Sequence, residues 1–411
     1  MAFDSFDAGS PLEPSDYVNG FLDTFYSASC FDLIVDSETA QPSDNTSLPE
    51  STDHELNFKN IDLSQYSGRV AYDMGSGGTK IKGVLFNTEA MHIEAVFAEY
   101  SFPMTYSLDL EQSENNQFSD LIMEMGLEQL KNHKALIEAD FEKLNLDLAL
   151  EHYGVATAAF RKAENADLFL SKIESELDIH ISVISQEEEG VLGYYAAKSA
   201  AAKENPHGDL IDWSDPIVWD IGGGSMQITH QEENGEFTIL QSTIASSTFM
   251  TLFNQHIRAL EDLSLTPNPI NNMEFSVAFA LAKEQLVFNE RDSAIIKAHI
   301  EQGSDILAIG AVHNASVQNT INQVLNIHAD TYSKEQISQA AELLYNLNDQ
   351  QIAGLLQLKN PSFSKTAITN LILVSAFMEK FNVEQVSTVK ANNTDGLIAQ
   401  GNILSQNLAI H

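Results

Sequence analysis

The sequence predicts an α/β protein in which two duplicated domains face each other across a cleft, preceded by an acidic N-terminal extension. Three observations predict this fold class. Two strand-like runs, ending near Asp73 and Asp220, each continue into a glycine-rich turn and a hairpin. Their spacing, 220 − 73 = 147 residues, is about one domain in a chain of 411 residues, long enough for two hydrophobic cores. Residues 1–60 carry twelve acids and one base, unlike the rest.

The extension, residues 1–60, contains two kinds of segment. Aromatic and aliphatic residues recur at helical spacing between Ser15 and Val35, which predicts a short helix or helix pair. We expect its apolar face to dock on the main body or on a partner. The stretch from Gln41 to Glu55 is rich in Ser, Pro, Asp, Thr and Asn, which is typical of a linker or a disordered segment.

The first domain is expected over residues 61–195. V-A-Y-D, ending at Asp73, is typical of a buried strand, and the alternating runs I-K-G-V-L-F and H-I-E-A-V-F-A-E-Y predict a hairpin. Apolar periodicity predicts helices from Phe118 to Phe141, from Ala163 to Leu177 and from Glu187 to Ala202. L-A-L-E-H-Y-G-V-A-T and H-I-S-V-I-S predict the strands between these helices.

The second domain is expected over residues 196–392. A strand opens at Val218, and a hairpin turns at Asn234-Gly235, a strong turn signal. After Ser246 the sequence predicts mostly helix, interrupted by strands at 306–311 and 385–390. The last segment, 393–411, is expected to pack back on the first domain.

The two turns, D-M-G-S-G-G-T from Asp73 and D-I-G-G-G-S from Asp220, have the composition of anion-binding loops. Successive backbone N–H groups in a tight turn bind anions, and glycines allow unusual dihedral angles and a close approach of phosphate. Hydroxyls of Ser76, Thr79 and Ser225 could add donors. The aspartates would repel phosphate, so we expect a divalent cation or a water molecule between them. A single loop of this kind can be a structural turn, but two at domain spacing favour a phosphate site.

Other nucleotide-binding loops do not fit. Neither turn reads G-x-x-x-x-G-K-[ST], and neither is a G-x-G-x-x-G that opens a helix. The histidines lack zinc-binding spacings such as H-E-x-x-H, so the sequence predicts no zinc site.

The formal net charge is −38, from 59 acids and 21 bases, which disfavours nucleic acid and anionic membranes as partners. This negative charge keeps the protein soluble, or it indicates that the protein binds divalent cations or a basic partner protein. The single cysteine, Cys30, excludes an intramolecular disulfide, and no apolar run approaches the length of a spanning helix. We therefore expect a cytoplasmic protein. Four of the few bases, Lys80, Lys82, Arg161 and Lys162, fall near the predicted phosphate loops.

Four blocks resemble one known family. They are G-V-A-T-A-A-F-R-K-A-E-N from Gly154, I-S-V-I-S-Q-E-E-E-G from Ile181, D-I-G-G-G-S from Asp220, and N-T-D-G-L-I-A-Q-G from Asn393. In this order they resemble motifs of the exopolyphosphatase/guanosine pentaphosphatase (Ppx/GppA) family, within the actin–hexokinase superfamily. The resemblance implies two ribonuclease-H-like (actin-like ATPase) domains. It is to the short two-domain members, because the chain ends about ten residues after Gly401.

The resemblance also implies roles for individual residues. Glu189 would be the catalytic carboxylate that polarises the attacking water, and Arg161 would clamp a terminal phosphate. Asp73 and Asp220 would hold Mg²⁺. The implied substrate-binding residues are Gly75, Ser76, Gly77, Gly78, Thr79, Lys80, Arg161, Gly222, Gly223, Gly224, Ser225 and Gly310. The competing interpretations are that Glu187, Glu188 and Glu189 are solvated helix-start acids, and that Arg161 pairs with Glu164.

The second loop departs from the family at Met226-Gln227, where G-G-G-S-T-E is usual. S-T-Q occurs at this point in apyrases, where the glutamine orients water, so Gln227 is predicted to be catalytic with Glu189. The sequence thus predicts a Mg²⁺-dependent hydrolase of polyphosphate, guanosine pentaphosphate (pppGpp) or another nucleotide, and the resemblance implies a homodimer. An apyrase-like nucleotide hydrolase and a non-catalytic nucleotide or phosphate sensor are the alternatives. The negative charge favours a short anion over long polyphosphate.

Overall fold

The computed structural model describes residues 63–89, 92–204, 216–358 and 360–400. The acidic extension, including the helix predicted between Ser15 and Val35 and the single cysteine, lies outside these ranges. Within them the chain forms two mixed β-sheets flanked by helices, which confirms the predicted α/β class. No helix in the described ranges is both long enough and apolar enough to cross a membrane.

The first sheet contains five strands in the order β3-β2-β1-β4-β5. Its strands are β1 (Tyr66–Met74), β2 (Gly78–Asn87), β3 (His92–Pro103), β4 (Leu150–Ala156) and β5 (His180–Val183). The predicted hairpin is confirmed, since β2 pairs antiparallel with both β1 and β3. β4 runs parallel to both β1 and β5. The carboxyl ends of β1, β4 and β5 therefore meet at one edge of the sheet.

The second sheet contains six strands in the order β10-β11-β9-β6-β7-β8. Its strands are β6 (Ile217–Ile221), β7 (Met226–Gln231), β8 (Phe237–Ser242), β9 (Ile306–Ile309), β10 (Thr331–Ser333) and β11 (Gln385–Thr388). The hairpin β7–β8 turns at Gly235, whose φ of 87° is left-handed and favours glycine. β9 is parallel to β6 and to β11.

The two sheets share one topology. In each, a central strand has an antiparallel hairpin on one side and two successive parallel strands on the other. The order β3-β2-β1-β4-β5 thus corresponds to β8-β7-β6-β9-β11, and β10 is an addition at the edge. The predicted duplication of an α/β unit is confirmed.

Helices cover the sheets and fill most of the chain after residue 246. They are α1 (Tyr106–Glu111), α2 (Asp120–Lys143), α3 (Ala158–Lys162), α4 (Ala166–Leu177), α5 (Gln186–Glu204), α6 (Ser246–His256), α7 (Asn272–Gln285), α8 (Glu290–Gln302), α9 (Asn319–Leu325), α10 (Lys334–Leu344), α11 (Asp349–Leu355), α12 (Ser364–Phe381) and α13 (Asn393–Gln400), with a π-helical turn at Val312–Gln318. Each sheet has its own core, around the buried Tyr72 in the first and the buried Trp219 in the second.

The helix predicted from Ala163 begins later, at Ala166, and a separate short helix, α3, precedes it. Between them Ala163 is extended, with φ −76° and ψ 121°. The side chain of Asn165 holds this break, because its oxygen accepts from the amide of Phe118 (2.8 Å) and its nitrogen donates to the carbonyl of Phe118 (2.9 Å). A contact between distant residues thus overrides the local helical pattern.

Helix α13 packs against the first sheet and against α5. Lys82, expected near the phosphate loops, instead donates to Asp395 of α13 at 2.7 Å and pairs with Glu99 at 3.2 Å. Gly396 is glycine because a Cβ there would collide with the carbonyl oxygen of Leu192 on α5. The N-T-D-G block therefore fastens α13 to the helix that carries Glu189.

Candidate active site

The predicted site residues gather at the carboxyl ends of the parallel strands in both sheets. Asp73 stands one residue before the end of β1, and Asp220 stands one residue before the end of β6. Glu189 lies in the first turn of α5, which follows β5. This is the edge where α/β sheets bind their ligands, because loops rather than strands form the surface there.

The two glycine loops have the same internal hydrogen bond. The amide of Gly75 donates to the carbonyl of Gly78 at 2.8 Å, and the amide of Gly222 donates to the carbonyl of Ser225 at 2.9 Å. Each turn therefore closes three residues after its first glycine. This equivalence, in loops 147 residues apart, extends the duplication from the strands to the turns.

Hydrogen bonds from neighbouring backbone amides fix the direction of the peptide groups in each loop. The carbonyls of Ser76 and Gly77 accept from the amides of Ser107 (3.1 Å) and Met104 (3.2 Å). In the second loop, the carbonyls of Gly222 and Gly223 accept from residues 246 and 247, at the start of α6 (3.2 and 2.8 Å). A trans peptide directs its N–H opposite to its C=O. The amides that follow these carbonyls, at 77, 78, 223 and 224, therefore point away from their anchors, as an anion site requires.

The loop glycines serve access rather than backbone strain. Among the described glycines only Gly235, Gly303 and Gly310 have positive φ, so the glycines of the two loops do not adopt the left-handed conformation that glycine allows. A Cβ on Gly77 or Gly224 would meet nothing within 4 Å. The missing side chains therefore leave the backbone open to a ligand.

The three acids of E-E-E have three different partners. Glu188 caps α5, since its Oε2 accepts from the amide of Ser185 (2.7 Å) and its own amide donates to the Ser185 hydroxyl (3.1 Å). Glu187 accepts from the side-chain amide of Gln241 at 2.6 Å, which is the main cause of its lowered pKa. Glu189 is directed elsewhere and is only 8% exposed, so it is not a solvated helix-start acid.

Glu189 is paired with Arg161. Nη1 of Arg161 donates to Glu189 Oε2 at 3.0 Å and to the carbonyl of Ile184, just after β5, at 2.9 Å. The alternative pairing of Arg161 with Glu164 is not observed among the described residues. Both bonds use one nitrogen, while a guanidinium carries five N–H donors, so Arg161 retains donors for an anion.

Three carboxyl groups influence one another at this edge. Burial raises the pKa of Glu189 to about 7; Arg161 opposes this rise, and the charges of Asp220 and Asp73 add to it. Burial likewise raises the pKa of Asp220 to about 6, against Lys80 and with Asp73. The pKa of Asp73 is also raised by burial, although Lys80 lies 4.0 Å away. The three acids outnumber the two cationic side chains near them, Arg161 and Lys80. This excess of negative charge favours the binding of an additional cation between the acids.

The donor set at the two aspartates fits Mg²⁺. Asp73 and Asp220 offer only carboxylate oxygens, the ligands that Mg²⁺ prefers. Gly310, with φ 86°, lets the chain pass close to the second aspartate, because a Cβ there would lie 2.6 Å from Asp220 Oδ1. Asn314 holds this turn by donating to the Gly310 carbonyl at 3.1 Å.

Gln227 stands opposite Asp220 in the β6–β7 pairing and beside the helix that carries Glu189. It is 2% exposed, and its Nε2 has no hydrogen-bond partner among the described residues. A buried amide nitrogen left unpaired costs about 1–3 kcal/mol. A Cβ on Gly190 would lie 3.5 Å from Gln227 Cβ, so Gln227 packs against the backbone of the residue that follows Glu189.

Most predicted residues meet at this edge, with exceptions. The side chain of Thr79 is completely buried and adjoins the hydroxyl of Tyr106, so it does not line the loop surface as predicted. Lys82 forms ion pairs with Asp395 of α13 and with Glu99. Two residues that hold parts of this site were not predicted from the sequence. They are Gln241, which donates to Glu187, and Asn314, which donates to the carbonyl of Gly310. The predicted turn at Asn234-Gly235 sets the β7–β8 register, and this register pairs Gln241 with Gln227. The hairpin could therefore have identified Gln241.

Comparison with known proteins agrees with this fold. A profile of the Ppx/GppA phosphatase family matches residues 86–400. A crystal structure of the Aquifex aeolicus member of the Ppx/GppA family is 15% identical, with a TM-score of 0.62 over 84% of this chain and 100% of that chain. An exopolyphosphatase from Cytophaga hutchinsonii is 14% identical, with a TM-score of 0.57 over 81% and 97%. No curated protein matches. Structural likeness at such identities shows the fold, whereas the profile covers most of the sequence, so the chain belongs to the Ppx/GppA phosphatase family.

Proposed function

We propose that this protein is a Mg²⁺-dependent hydrolase that releases the terminal phosphate of polyphosphate or guanosine pentaphosphate. One observation carries the proposal: Glu189 is buried beside Arg161, and its pKa responds to the aspartates of both glycine loops. A buried carboxylate between two anion-binding turns is the arrangement that hydrolysis of a phosphoanhydride needs.

Glu189 is the general base in this mechanism. With a pKa raised to about 7, its carboxylate is a stronger base than an ordinary glutamate and still ionises near neutral pH. It accepts a proton from the attacking water at a carboxylate oxygen, while Arg161 holds that carboxyl group in place. The unpaired amide of Gln227 donates to the same water and orients it.

The two glycine loops and the side chains of Lys80 and Arg161 bind the phosphates. Backbone amides at 77, 78, 223 and 224 point away from their anchors, and Lys80 and Arg161 add positive charge at the first loop and at Glu189. Asp73 and Asp220 would hold Mg²⁺, which neutralises charge on the phosphate oxygens when bound. We assign the cleft to a boundary between domains at 61–195 and 196–392, with 393–411 belonging to the first. The packing of α13 on the first sheet supports that last assignment for residues 393–400.

An apyrase-like hydrolysis of nucleoside di- and triphosphates is the second candidate. Its specific support is Gln227, because a neutral amide occupies the place where the family usually has a carboxylate. A sensor that binds phosphate without turnover would keep the loops and lack hydrolysis.

Phosphate release separates these functions. The wild type would be assayed with Mg²⁺ on polyphosphates of several lengths, pppGpp, ATP and ADP, beside Glu189→Gln and the capping control Glu188→Gln. We expect release from pppGpp or short polyphosphate, lost in Glu189→Gln and kept in Glu188→Gln. Preference for ATP and ADP would establish the apyrase function. Substrate binding without release from any of them would establish the sensor, and undiminished release by Glu189→Gln would refute the catalytic assignment.

A further inference from the structure

A second cluster of metal-ligating side chains lies at the other end of the second sheet. It consists of His230 on β7, Glu232 just after β7, and His299 on α8, and one ligand atom from each lies within 4.8 Å of the other two. His230 pairs with Ile217, the first residue of β6, whereas Gln227 pairs with Asp220 near the end of that strand. His230 lies three positions along the strand from Gln227, or about 10 Å.

We propose that His230, Glu232 and His299 form a binding site for a first-row divalent cation, with Zn²⁺ as the expected occupant. Two imidazoles and one carboxylate are a zinc-type ligand set, and nitrogen ligands discriminate against Mg²⁺. The site is therefore chemically distinct from the oxygen-only pair Asp73 and Asp220. It does not depend on the proposed hydrolase function.

The spacing of the ligand atoms suits zinc. Bonds of about 2.1 Å in tetrahedral geometry place neighbouring ligand atoms about 3.4 Å apart. His299 Nε2 lies 3.5 Å from Glu232 Oε2, so this pair already has that separation. The rings of His230 and His299 approach with centroids 3.7 Å apart and planes tilted by 39°. The side chains of His299 and Glu232 are 21% and 29% exposed, which leaves a path for the ion and room for small rotations.

Outer contacts orient two of the ligands, as they do in metal centres. Thr238 donates to Glu232 Oε1 at 2.8 Å, which leaves Oε2 directed at His299. The turn after β7 also holds the backbone of Glu232, whose amide donates to the carbonyl of Glu236 at 2.8 Å. Nδ1 of the buried His230 lies 3.4 Å from the carbonyl of Pro216, a contact that orients the ring.

The site would cross-link two elements that are distant in sequence. His299 belongs to α8, which packs against β8, while the other two ligands belong to the β7–β8 hairpin. An ion held by both would fasten the helix to the hairpin and stabilise the second domain. The sequence lacks the histidine spacings typical of zinc sites. This does not conflict with the proposed site, because the third ligand, His299, comes from α8, an element distant in sequence.

Cobalt binding tests the proposal. Untagged protein freed of metal by chelation would be titrated with Co²⁺ in excess Mg²⁺, and visible absorption would report four-coordinate cobalt that Zn²⁺ displaces. We expect one such ion per chain, and binding weakened about tenfold or more in His299→Ala and in Glu232→Gln. His180→Ala is the matched control, because His180 is an exposed histidine that also contacts a glutamate, Glu174, at 3.1 Å, and it should bind as the wild type does.

Three outcomes would overturn the proposal. The first is a wild type that gives no four-coordinate cobalt spectrum, and the second is a spectrum that persists unchanged in both ligand variants. The third is loss of the spectrum in Asp220→Asn, which would assign the ion to the phosphate site. Urea unfolding in chelator checks that His299→Ala and Glu232→Gln fold. The wild type should gain stability with Zn²⁺ and the two variants should not.

Discussion

Replacing Glu189 by Gln is expected to abolish hydrolysis and at the same time to stabilise the protein by an amount that grows with pH. Burial raises the pKa of Glu189 from its ordinary value of 4.5 to about 7. The protonated carboxyl group is therefore the form that the folded state favours. Its contribution to stability is complete below about pH 4.5 and is lost as the pH rises through 7. Gln resembles the protonated form at every pH, so the variant does not incur this loss.

The magnitude follows from the size of the pKa change. Each pKa unit corresponds to about 1.4 kcal/mol, so the full effect is about 3 kcal/mol. Because the isoelectric point is about 4.4, solubility favours working at pH 5.5 and above. Linkage then gives the variant an advantage in the free energy of unfolding of about 1 kcal/mol at pH 5.5 and about 3 kcal/mol at pH 8.5.

Urea unfolding at these two pH values, in chelator, would measure the effect. Glu188→Gln is the control, because Glu188 caps the same helix, and it should change stability by about 1 kcal/mol or less at either pH. An equal difference between Glu189→Gln and wild type at both pH values would refute the reasoning, as would a variant less stable than wild type at pH 8.5.

Three further perturbations follow from the same contacts. Because Arg161 lowers the pKa of Glu189, the proposed general base, kcat/KM of Arg161→Gln should rise with pH at a higher midpoint than that of wild type; an unshifted midpoint would contradict the pairing. Gly310→Ala should cost about 1–2 kcal/mol of stability and raise the Mg²⁺ concentration needed for activity, because its Cβ meets the facing aspartate. Gly303→Ala, at φ 100° in open space, should show the stability loss alone. Lys82→Met removes the cationic partner of the buried Asp395, which keeps only the amide of Asn392 among the described residues, and should cost about 3–5 kcal/mol in urea unfolding, whereas the exposed Lys143→Met should cost about 1 kcal/mol or less.

Most of the fold could be predicted from local pattern, with two exceptions. The hairpins, the parallel strands and the duplication follow from alternation, turn residues and the repeated acid-glycine loops. The break before Ala166 does not, because it depends on a contact between Asn165 and Phe118, 47 residues apart. The short strand at Thr331–Ser333 was also missed, since three residues carry too little periodicity.

The candidate site shows the same division. The glycines and the acids of both loops could be read from composition. Among the three consecutive glutamates the family resemblance singled out Glu189, but composition alone could not say which of them is buried at the site. That choice depends on partners from three places in the chain: Ser185 for Glu188, Gln241 for Glu187 and Arg161 for Glu189. Lys82 was assigned to the loops because composition records how many bases are nearby but not where they point.

The duplication also gives a physical reason for Gln227. Lys80 pairs with Asp73 in the first hairpin, and Gln227 pairs with Asp220 at the equivalent position of the second. The first aspartate thus has a cation beside it, whereas the second has a neutral amide. A carboxylate at 227 would add a fourth acid to a cluster in which burial and mutual repulsion already raise three pKa values. In the proposed mechanism the amide would keep a donor for water at this position without adding that charge, which is compatible with the departure of the second loop from the usual family sequence.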